Sequence, residues 1–374
     1  MKTINQLLCL LTLFVMASHA MSSDLIESEK ESFQLEQVID GLGIPWGLAF
    51  ISSNEILITE RDGSIMLLNT QSKKLTLIYA APAVMASGQG GLLDVAVPPD
   101  FKTGDWIYFT FVRNKSGDGI TVLSRAKLKQ NKLVQWQDLL ETKSATGTGR
   151  HFGSRIEFDE KGYVYFGVGD RGERPNSQDL GNHAGTVMRL HRDGRVPEDN
   201  PFNKRSDVLD EIWSYGHRNP QGMAYDFDTK RLWLIEHGPR GGDEINLVLP
   251  GRNYGWPVIS YGKEYWGPIA VGEGTHREGM EQPVKQYTPS IAPGSLLLYS
   301  GDSFPAWQGN LFSGALKLTH LNRVTLSKDG KAIGEERLLE DLNERIRAVT
   351  QSPQGWLYFS TDSGKIYVMK PVSN

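Results

Sequence analysis

Two residues near the middle of the chain are suited to remove a proton from a substrate. His151 lies in GRHFGSRIEFD (149–159), and Asp170 ends the next apolar run, in GVGDRGE (167–173). A carboxylate that holds a histidine fixes its tautomer and stabilises the imidazolium, which suits general-base catalysis. An isolated histidine is more often structural, so local sequence leaves both interpretations open.

Three cationic residues near the C-terminus predict an anion site. Arg345 and Arg347 lie two apart in ERIRAV, so on an extended chain both side chains point to the same face. Lys317 lies upstream in GALKLTH. Two arginines on one face repel each other unless water or an anion compensates them, and the guanidinium fork suits carboxylate or phosphate. A solvated surface pair is the alternative.

The stretch YGHRNPQG (215–222) carries more polar groups than a turn requires. Asn-Pro initiates turns and glycine closes them, which accounts for the backbone but for neither Arg218 nor Gln221. His217 is equally suited to the core or to a supporting contact. Gln89, among three glycines in SGQGGLLDV, lies where backbone can approach a ligand closely. A tight loop leading into a strand explains the same glycines.

An oxygen-rich segment, EHGPRGGDEINLVLPGRNYGWP (236–257), is suited to a calcium ion. Its glycines and Pro239 expose backbone carbonyls, and Asp243 and Glu244 supply carboxylates. Ca²⁺ accepts such ligands in flexible geometry, although the spacing here is not that of an EF-hand loop. Solvated acidic turn residues are the alternative.

These candidate residues lie near the ends of short strand-like runs. After the N-terminus the chain has no long 3.6-period apolar stretch, and its short apolar runs end at Gly, Asp or Asn, which predicts antiparallel strands. Six runs share one plan, at intervals of 51, 57, 68, 79 and 46 residues, when aligned on Ile56, Ile107, Val164, Leu232, Leu311 and Leu357.

This repeat predicts an all-β fold, a six-bladed β-propeller with four antiparallel strands per blade. The innermost strands of a propeller converge on an axial channel, so polar residues at their ends meet despite large sequence separations. The segment 251–295 is the longest predicted insertion. A two-sheet sandwich is the alternative fold.

The N-terminus and the composition narrow the class of protein. MKTINQLLCLLTLFVMASHA predicts a signal peptide over residues 1–20, a single propeller domain over 21–374, and a periplasmic or secreted protein without a membrane span. Cys9, the only cysteine, lies in that leader. The remaining 39 basic and 44 acidic residues give a net charge near −5, which argues against nucleic-acid binding. Walker, HExxH and GxSxG motifs are absent.

Nine phrases in one order resemble the soluble aldose sugar dehydrogenases, relatives of soluble glucose dehydrogenase that use pyrroloquinoline quinone (PQQ). They are IPWGLAF, GQGGLLDV, HFGSRIEFD, GTVMRL, YGHRNPQGMA, EHGPRGGDEIN, NYGWP, GALK and RIRAV, and they span residues 44 to 349. The resemblance implies a six-bladed propeller with the quinone over its axial channel.

The resemblance also implies site roles. His151 is the base that takes the proton from the anomeric hydroxyl while hydride passes from C1 of the sugar to C5 of the quinone. Asp170 orients His151, and Arg218 polarises the quinone carbonyl. The residues implied around PQQ are Gln89, Arg218, Asn219, Gln221, Tyr265, Ala315, Leu316, Lys317, Arg345, Ile346 and Arg347. Carbonyls of Gly238 and Pro239 are implied to hold a catalytic Ca²⁺, and Glu244 and Tyr254 a structural one.

Two departures from the resemblance bear on specificity and assembly. Arg150 precedes the base where glucose dehydrogenases carry aspartate, and the chain lacks their long insertions, which favours a monomer over a dimer and weakens the expectation of glucose specificity. Tyr261 and Trp266 are candidates to stack on a pyranose ring. The expected partners are aldose sugars and an electron acceptor, a quinone or a cytochrome.

Two other functions fit parts of the pattern. A Ca²⁺-dependent lactonase-type hydrolase would use Ca²⁺ and His151 but has no need for Arg345, Arg347 and Lys317 to converge. A non-catalytic glycan-binding propeller needs no general base.

Overall fold

The computed structural model describes residues 25–80 and 84–372, so the predicted leader and Cys9 lie outside the described residues. The N-terminal strands are β1 (Leu25–Glu27) and β2 (Ser32–Ile39). Blade 1 contains β3 (Pro45–Ser52), β4 (Glu55–Glu60), β5 (Ser64–Asn69) and β6 (Leu75–Ala80). Blade 2 contains β7 (Leu92–Ala96), β8 (Trp106–Lys115), β9 (Asp118–Lys129) and β10 (Lys132–Glu141).

Blade 3 contains β11 (Ile156–Phe158), β12 (Tyr163–Val168), β13 (Thr186–His191) and β14 (Ile212–Tyr215). Blade 4 contains β15 (Pro220–Asp226), β16 (Arg231–Glu236), β17 (Asp243–Val248) and β18 (Lys285–Tyr287). Blade 5 contains β19 (Leu297–Leu298), β20 (Leu311–Gly314), β21 (Leu321–Leu326) and β22 (Ala332–Leu338). Blade 6 begins with β23 (Ile346–Gln351), β24 (Leu357–Thr361) and β25 (Ile366–Pro371). The short 3₁₀ helices are Arg174–Gln178, Pro305–Trp307 and Glu340–Leu342.

The six sheets are antiparallel and confirm the predicted propeller with four strands per blade. The six residues used to align the repeats, Ile56 through Leu357, all lie on the second strand of their blades, and all are buried. These strands read as nearly continuous apolar runs because both of their faces pack against a neighbouring blade. Ile56 packs in a cluster with blade 6, for example, and Leu57 packs in one with blade 2.

Blade 6 is completed by the opposite end of the chain. Strand β2 pairs with β25 from Phe33 opposite Pro371 to Ile39 opposite Ile366, and β1 adds a fifth strand outside β2. The repeat alone did not predict this closure, because hydrogen bonds between the two ends of a chain leave no local pattern. This pairing joins the two ends of the chain within one blade and so closes the ring.

The first strands of successive blades contact one another around the axis and so position the site. The predicted insertion 251–295 corresponds to residues 249–284, between β17 and β18, and the short β18 falls inside the predicted range. Within the described part of the chain, no helix is long and apolar enough to cross a membrane.

Candidate active site

The predicted base and its carboxylate partner are in direct contact. His151 Nδ1 lies 2.6 Å from Asp170 Oδ1, which also accepts a hydrogen bond from the Gly172 amide at 2.7 Å. Asp170 Oδ2 accepts a bond of 2.7 Å from Trp256 Nε1. The main-chain amide of His151 donates to Gln89 Oε1 at 2.8 Å. Both carboxylate oxygens and the imidazole are therefore held in one orientation.

The main-chain segments around this pair pack unusually close to one another. His151 has φ 57°, in the left-handed region that residues other than glycine rarely adopt. At Gly169 an added Cβ would lie 2.5 Å from the His151 carbonyl oxygen and 2.8 Å from that of Arg218. Glycine is required at position 169 because two functional segments converge on it, and strained backbone of this kind clusters at active sites.

The electrostatics of the pair favour a neutral imidazole beside an ionised carboxylate. Burial lowers the pKa of His151, the hydrogen bond with Asp170 opposes that shift, and the positive charge of Arg218 adds to it, so the pKa lies below its usual value. Burial alone would raise the pKa of Asp170, but the hydrogen bond and charge of His151 outweigh it and hold that pKa below its usual value. A histidine of this kind is available as a base at neutral pH.

The loop that carries Arg218 is fixed by Glu236, at the end of β16. Glu236 Oε2 accepts hydrogen bonds from the amides of Arg218, at 2.6 Å, and Asn219, at 3.4 Å. Glu236 Oε1 accepts one from His217 Nδ1 at 2.9 Å. The His217 ring is fully buried and stacks on Tyr254 at 4.6 Å. His217 is therefore a supporting residue, which decides between the interpretations that its sequence context left open.

The Arg218 side chain points toward the oxygen-rich loop. Its Nη1 donates to the carbonyl oxygens of His237, at 3.1 Å, and Gly238, at 2.6 Å. Its Nη2 lies 3.5 Å from the Tyr265 hydroxyl, and its Cζ lies 5.2 Å from the centre of the Trp256 ring. The Nε atom is buried without a hydrogen-bond partner among the described residues. A buried donor left in this state is suited to an additional acceptor.

The arginine pair is compensated by a carboxylate that sequence reasoning missed. Asp362 Oδ2 accepts from Arg345 Nε at 2.8 Å, and Asp362 Oδ1 accepts from Arg347 Nε at 2.6 Å. Arg345 also donates to the carbonyl oxygen of Leu316 at 2.7 Å. The expected repulsion between the two arginines is therefore relieved within the protein, and the cluster keeps one net positive charge.

Some residues implied for the cofactor present main chain rather than side chain. The side chains of Ala315 and Ile346 are fully buried in apolar clusters, so only their backbone is available. The Lys317 side chain is exposed. The side chains of Tyr265 and Trp266 are 67% and 74% exposed.

A cavity of about 240 Å³ brings the distant segments together. Its lining takes residues from all six blades and their connections: Ile44, Trp46, Arg61, Gln89, Leu93, Phe152, Gly153, Asn219, Gln221, His237, Ala292, Leu316, Arg345, Arg347 and Asp362. Six of the residues implied for the cofactor are in this set: Gln89, Asn219, Gln221, Leu316, Arg345 and Arg347. The structure therefore places guanidinium, amide and apolar groups around one polar cavity near the axis.

Some oxygen atoms of the oxygen-rich loop already accept hydrogen bonds within the protein, whereas other residues of the loop line a small cavity. Asp243 accepts hydrogen bonds from the Gly238 amide at 2.9 Å, from Ser290 Oγ and from the Ala292 amide, so it is structural rather than a free ligand. A cavity of about 20 Å³ is lined by residues that include Gly238, Pro239 and Glu244.

The carboxylate of Glu244 is close to that of Glu236, and Asn246 Nδ2 bridges them at 3.2 and 3.4 Å. Burial and the charge of Glu236 raise the pKa of Glu244 to about 8. The Tyr254 hydroxyl donates to the Leu247 carbonyl and accepts from the Leu249 amide, which leaves the Tyr254 carbonyl as its candidate ligand atom.

Across residues 25–80 and 84–372, no three or more His, Cys, Asp or Glu side chains are grouped to hold a metal ion. A cation in this loop would therefore need main-chain carbonyl oxygens in addition to any carboxylate ligand.

Comparison with known proteins identifies the family. A family model described as "Glucose / Sorbosone dehydrogenase" matches residues 42–368, nearly the whole described chain. The chain belongs to this family. The resemblance read from the nine phrases is thereby confirmed.

Three relatives illustrate the similarity of this chain to known members of the family. Aldose sugar dehydrogenase YliI of Escherichia coli (strain K12) is 40% identical over 345 residues, covering 90% of this chain and 92% of that protein. Quinoprotein glucose dehydrogenase B of Acinetobacter calcoaceticus is 28% identical over 425 residues, covering 91% of this chain and 88% of that protein. The structure of the PQQ-bound form of an aldose sugar dehydrogenase from Streptomyces coelicolor matches with a TM-score of 0.74 and 26% identity, covering 90% and 98% of the two chains.

Three residues that support the site through hydrogen bonds were not predicted from the sequence. Trp256 and Glu236 lie inside stretches that the resemblance used, NYGWP and EHGPRGGDEIN, but local sequence gave them no role. Asp362 lies beyond the last of those stretches. Their contacts join segments 15 to 86 residues apart along the chain, so the local pattern around each residue could not predict them.

Proposed function

We propose that this protein oxidises aldose sugars at C1 to lactones, with pyrroloquinoline quinone as the hydride acceptor and Ca²⁺ as an activating ion. The observation that carries the proposal is a buried His151–Asp170 pair beside a cavity lined by Arg345 and Arg347. It is supported by membership of a family whose relatives include PQQ-bound aldose sugar dehydrogenases. The leader-like N-terminus supports a periplasmic or secreted location.

His151 is the proposed base. With Nδ1 donating to Asp170, the other ring nitrogen, Nε2, is left to accept the proton of the anomeric hydroxyl. Asp170 holds this tautomer and stabilises the imidazolium as it forms, while Trp256 and Gly172 hold Asp170. A positioned base typically contributes about 10²–10⁴-fold to rate.

The cavity fits a flat tricarboxylate. Arg345 and Arg347 offer guanidinium groups to its carboxylates, and Lys317 is exposed and able to join them. Gln89, Asn219 and Gln221 offer amides, and the unpartnered Arg218 Nε is suited to a carbonyl oxygen. Bound PQQ supplies an electrophilic carbonyl that accepts the hydride. Arg218 stabilises the negative charge that develops there.

The proposed cation sites use carbonyl oxygens of Gly238 and Pro239 and, separately, Glu244 with the Tyr254 carbonyl. Such oxygen donors suit Ca²⁺. The Gly238 oxygen already accepts a hydrogen bond from Arg218 at 2.6 Å, so a cation there competes with or shares that contact. This link couples the position of Arg218 to cation binding.

The decisive experiment is a titration of purified, EDTA-treated protein with PQQ and Ca²⁺, followed by dye reduction with several aldoses. We expect saturable quinone binding and sugar-dependent reduction that requires Ca²⁺. Absence of quinone binding, together with no reduction by any aldose, would refute the proposal. Hydrolysis of lactones in Ca²⁺ without quinone would instead support a lactonase.

Two variants separate chemistry from binding. His151→Ala is expected to retain quinone affinity within about threefold and lose about 10²–10⁴-fold in turnover. Arg345→Ala removes a cation from the cavity and is expected to weaken quinone binding. Equal effects of both variants on quinone affinity would contradict the assigned roles.

A further inference from the structure

Arg155, in the stretch HFGSRIEFD, has no role in the chemistry above, yet its side chain joins five blades at the axis. The residue is 7% exposed and immediately precedes β11 of blade 3. Its Nη1 donates to Asp94 Oδ1 of blade 2 at 2.7 Å, and its Nε donates to the Gln221 carbonyl of blade 4 at 3.0 Å. Its Nη2 donates to the carbonyls of Trp46 in blade 1, at 3.1 Å, and Gly294 beside blade 5, at 2.8 Å.

Asp94 completes this junction. Its side chain is about as buried as that of Arg155, and its Oδ2 accepts a hydrogen bond of 2.8 Å from the Ile156 amide. The Arg155 guanidinium also lies 4.0 Å from the centre of the Trp46 ring. All three donor nitrogens of Arg155 are used, and the charge is neutralised locally. A lysine cannot reproduce this planar set of contacts, because its ammonium is a single point donor.

The junction lies next to two cavities. Trp46 and Gln221, whose carbonyls bind Arg155, line the cavity of about 240 Å³. A second cavity, of about 690 Å³, is lined by residues that include Glu157, Ala224 and Leu296. These three residues follow Arg155, Gln221 and Gly294 by two or three positions along the chain. The Arg155–Asp94 pair therefore lies directly behind residues that line the smaller cavity.

We propose that the Arg155–Asp94 pair is the floor of the cofactor cavity, and that Arg155 is a positioning residue that sets the depth and lateral placement of the quinone through Trp46 and Gln221. This inference rests on the proposed function, because it assumes that the smaller cavity holds PQQ. None of the side-chain hydrogen bonds of the pair goes to His151, so it acts on cofactor binding rather than on proton transfer.

The test compares PQQ affinity and thermal stability of Arg155→Lys with those of a matched control, Arg189→Lys. Arg189 is 3% exposed, donates to Asn200 Oδ1 at 2.8 Å, and lies over the Trp213 ring at 4.3 Å, but does not line either cavity. Both variants retain a positive charge and lose a buried, planar guanidinium group, so both are expected to lower Tm.

We expect Arg155→Lys to weaken PQQ binding at least tenfold, measured by titration of the Ca²⁺-loaded protein, while Arg189→Lys stays within twofold of wild type. At saturating PQQ, the KM for sugar in Arg155→Lys is expected to stay within about threefold of wild type. Unchanged PQQ affinity in Arg155→Lys, or equal losses in both variants, would overturn the inference.

If Arg155→Lys does not fold, the double variant Asp94→Asn/Arg155→Met decides the question by the same criterion. It removes both charges, so no unpaired buried charge remains. Wild-type PQQ affinity in the double variant would overturn the inference. Absence of PQQ binding by the wild-type protein would instead refute the proposed function on which it rests.

Discussion

Asp170→Asn changes one buried atom of the candidate site. It tests how far the rate depends on the orientation of His151, because His151 itself is retained. Asp170 accepts three hydrogen bonds, from His151 Nδ1 at 2.6 Å, the Gly172 amide at 2.7 Å and Trp256 Nε1 at 2.7 Å. An amide of the same shape has one acceptor oxygen, so it cannot accept from all three donors. If the oxygen faces His151 and Gly172, the amide nitrogen faces the Trp256 N–H.

The alternative orientation is worse for catalysis. If the amide nitrogen faces His151, it donates to Nδ1 and moves the imidazole proton to Nε2, the atom that must accept the substrate proton. Both orientations also lose the negative charge that stabilises the imidazolium. We therefore expect kcat to fall by about 10²–10⁴-fold, the range contributed by a positioned base. One mismatched buried polar pair is expected to cost about 1–3 kcal/mol in the free energy of unfolding.

The assay is steady-state dye reduction with an aldose at saturating PQQ and Ca²⁺, with PQQ affinity and Tm measured in parallel. Because Asp170 does not line the 240 Å³ cavity, PQQ affinity is expected to stay within about threefold of wild type. A control variant, Asp207→Asn, changes a fully exposed carboxylate and is expected to leave all three quantities unchanged. A fall in kcat of less than tenfold for Asp170→Asn, with the fold intact, would refute the role of Asp170 in orienting the base.

Three further outcomes follow from the contacts and charges of the site and of the axial channel. The midpoint of the acid-side decline in rate should lie below about pH 6.5, because burial lowers the pKa of His151 and the base must be neutral. A midpoint above pH 6.5 would contradict this. Trp256→Phe removes the donor to Asp170 and is expected to lower kcat about tenfold without changing PQQ affinity, measured in the same assays. An unchanged kcat would contradict the supporting role of Trp256. Burial raises the pKa of Glu157 to about 8, so its contribution to stability is present below about pH 4.5 and lost as pH rises toward 8. Glu157→Gln, which retains an acceptor for the Phe158 amide, should therefore have a higher Tm than wild type at pH 8.5 and a similar Tm at pH 4, whereas a constant difference across that range would refute the assignment.

The sequence predicted the blade repeat and the chemical character of the site. Apolar runs ending in polar residues recur because every blade needs a second strand buried on both faces, and Ile56 and Leu357 occupy the same position in their blades. The types and spacing of His151, Asp170, Arg345 and Arg347 made them candidates for a base and an anion site, although local sequence also allowed structural roles. Such features are visible because they depend on short-range periodicity and on side-chain chemistry.

Only the tertiary structure decided which groups support those residues and which are free to act. It showed that Asp362 compensates both arginines, that Glu236 and His217 hold the loop of Arg218, and that Asp243 is already satisfied. It also showed that the N-terminal strand closes blade 6. These outcomes depend on contacts between segments brought together by ring closure, whose geometry no local pattern of residues encodes.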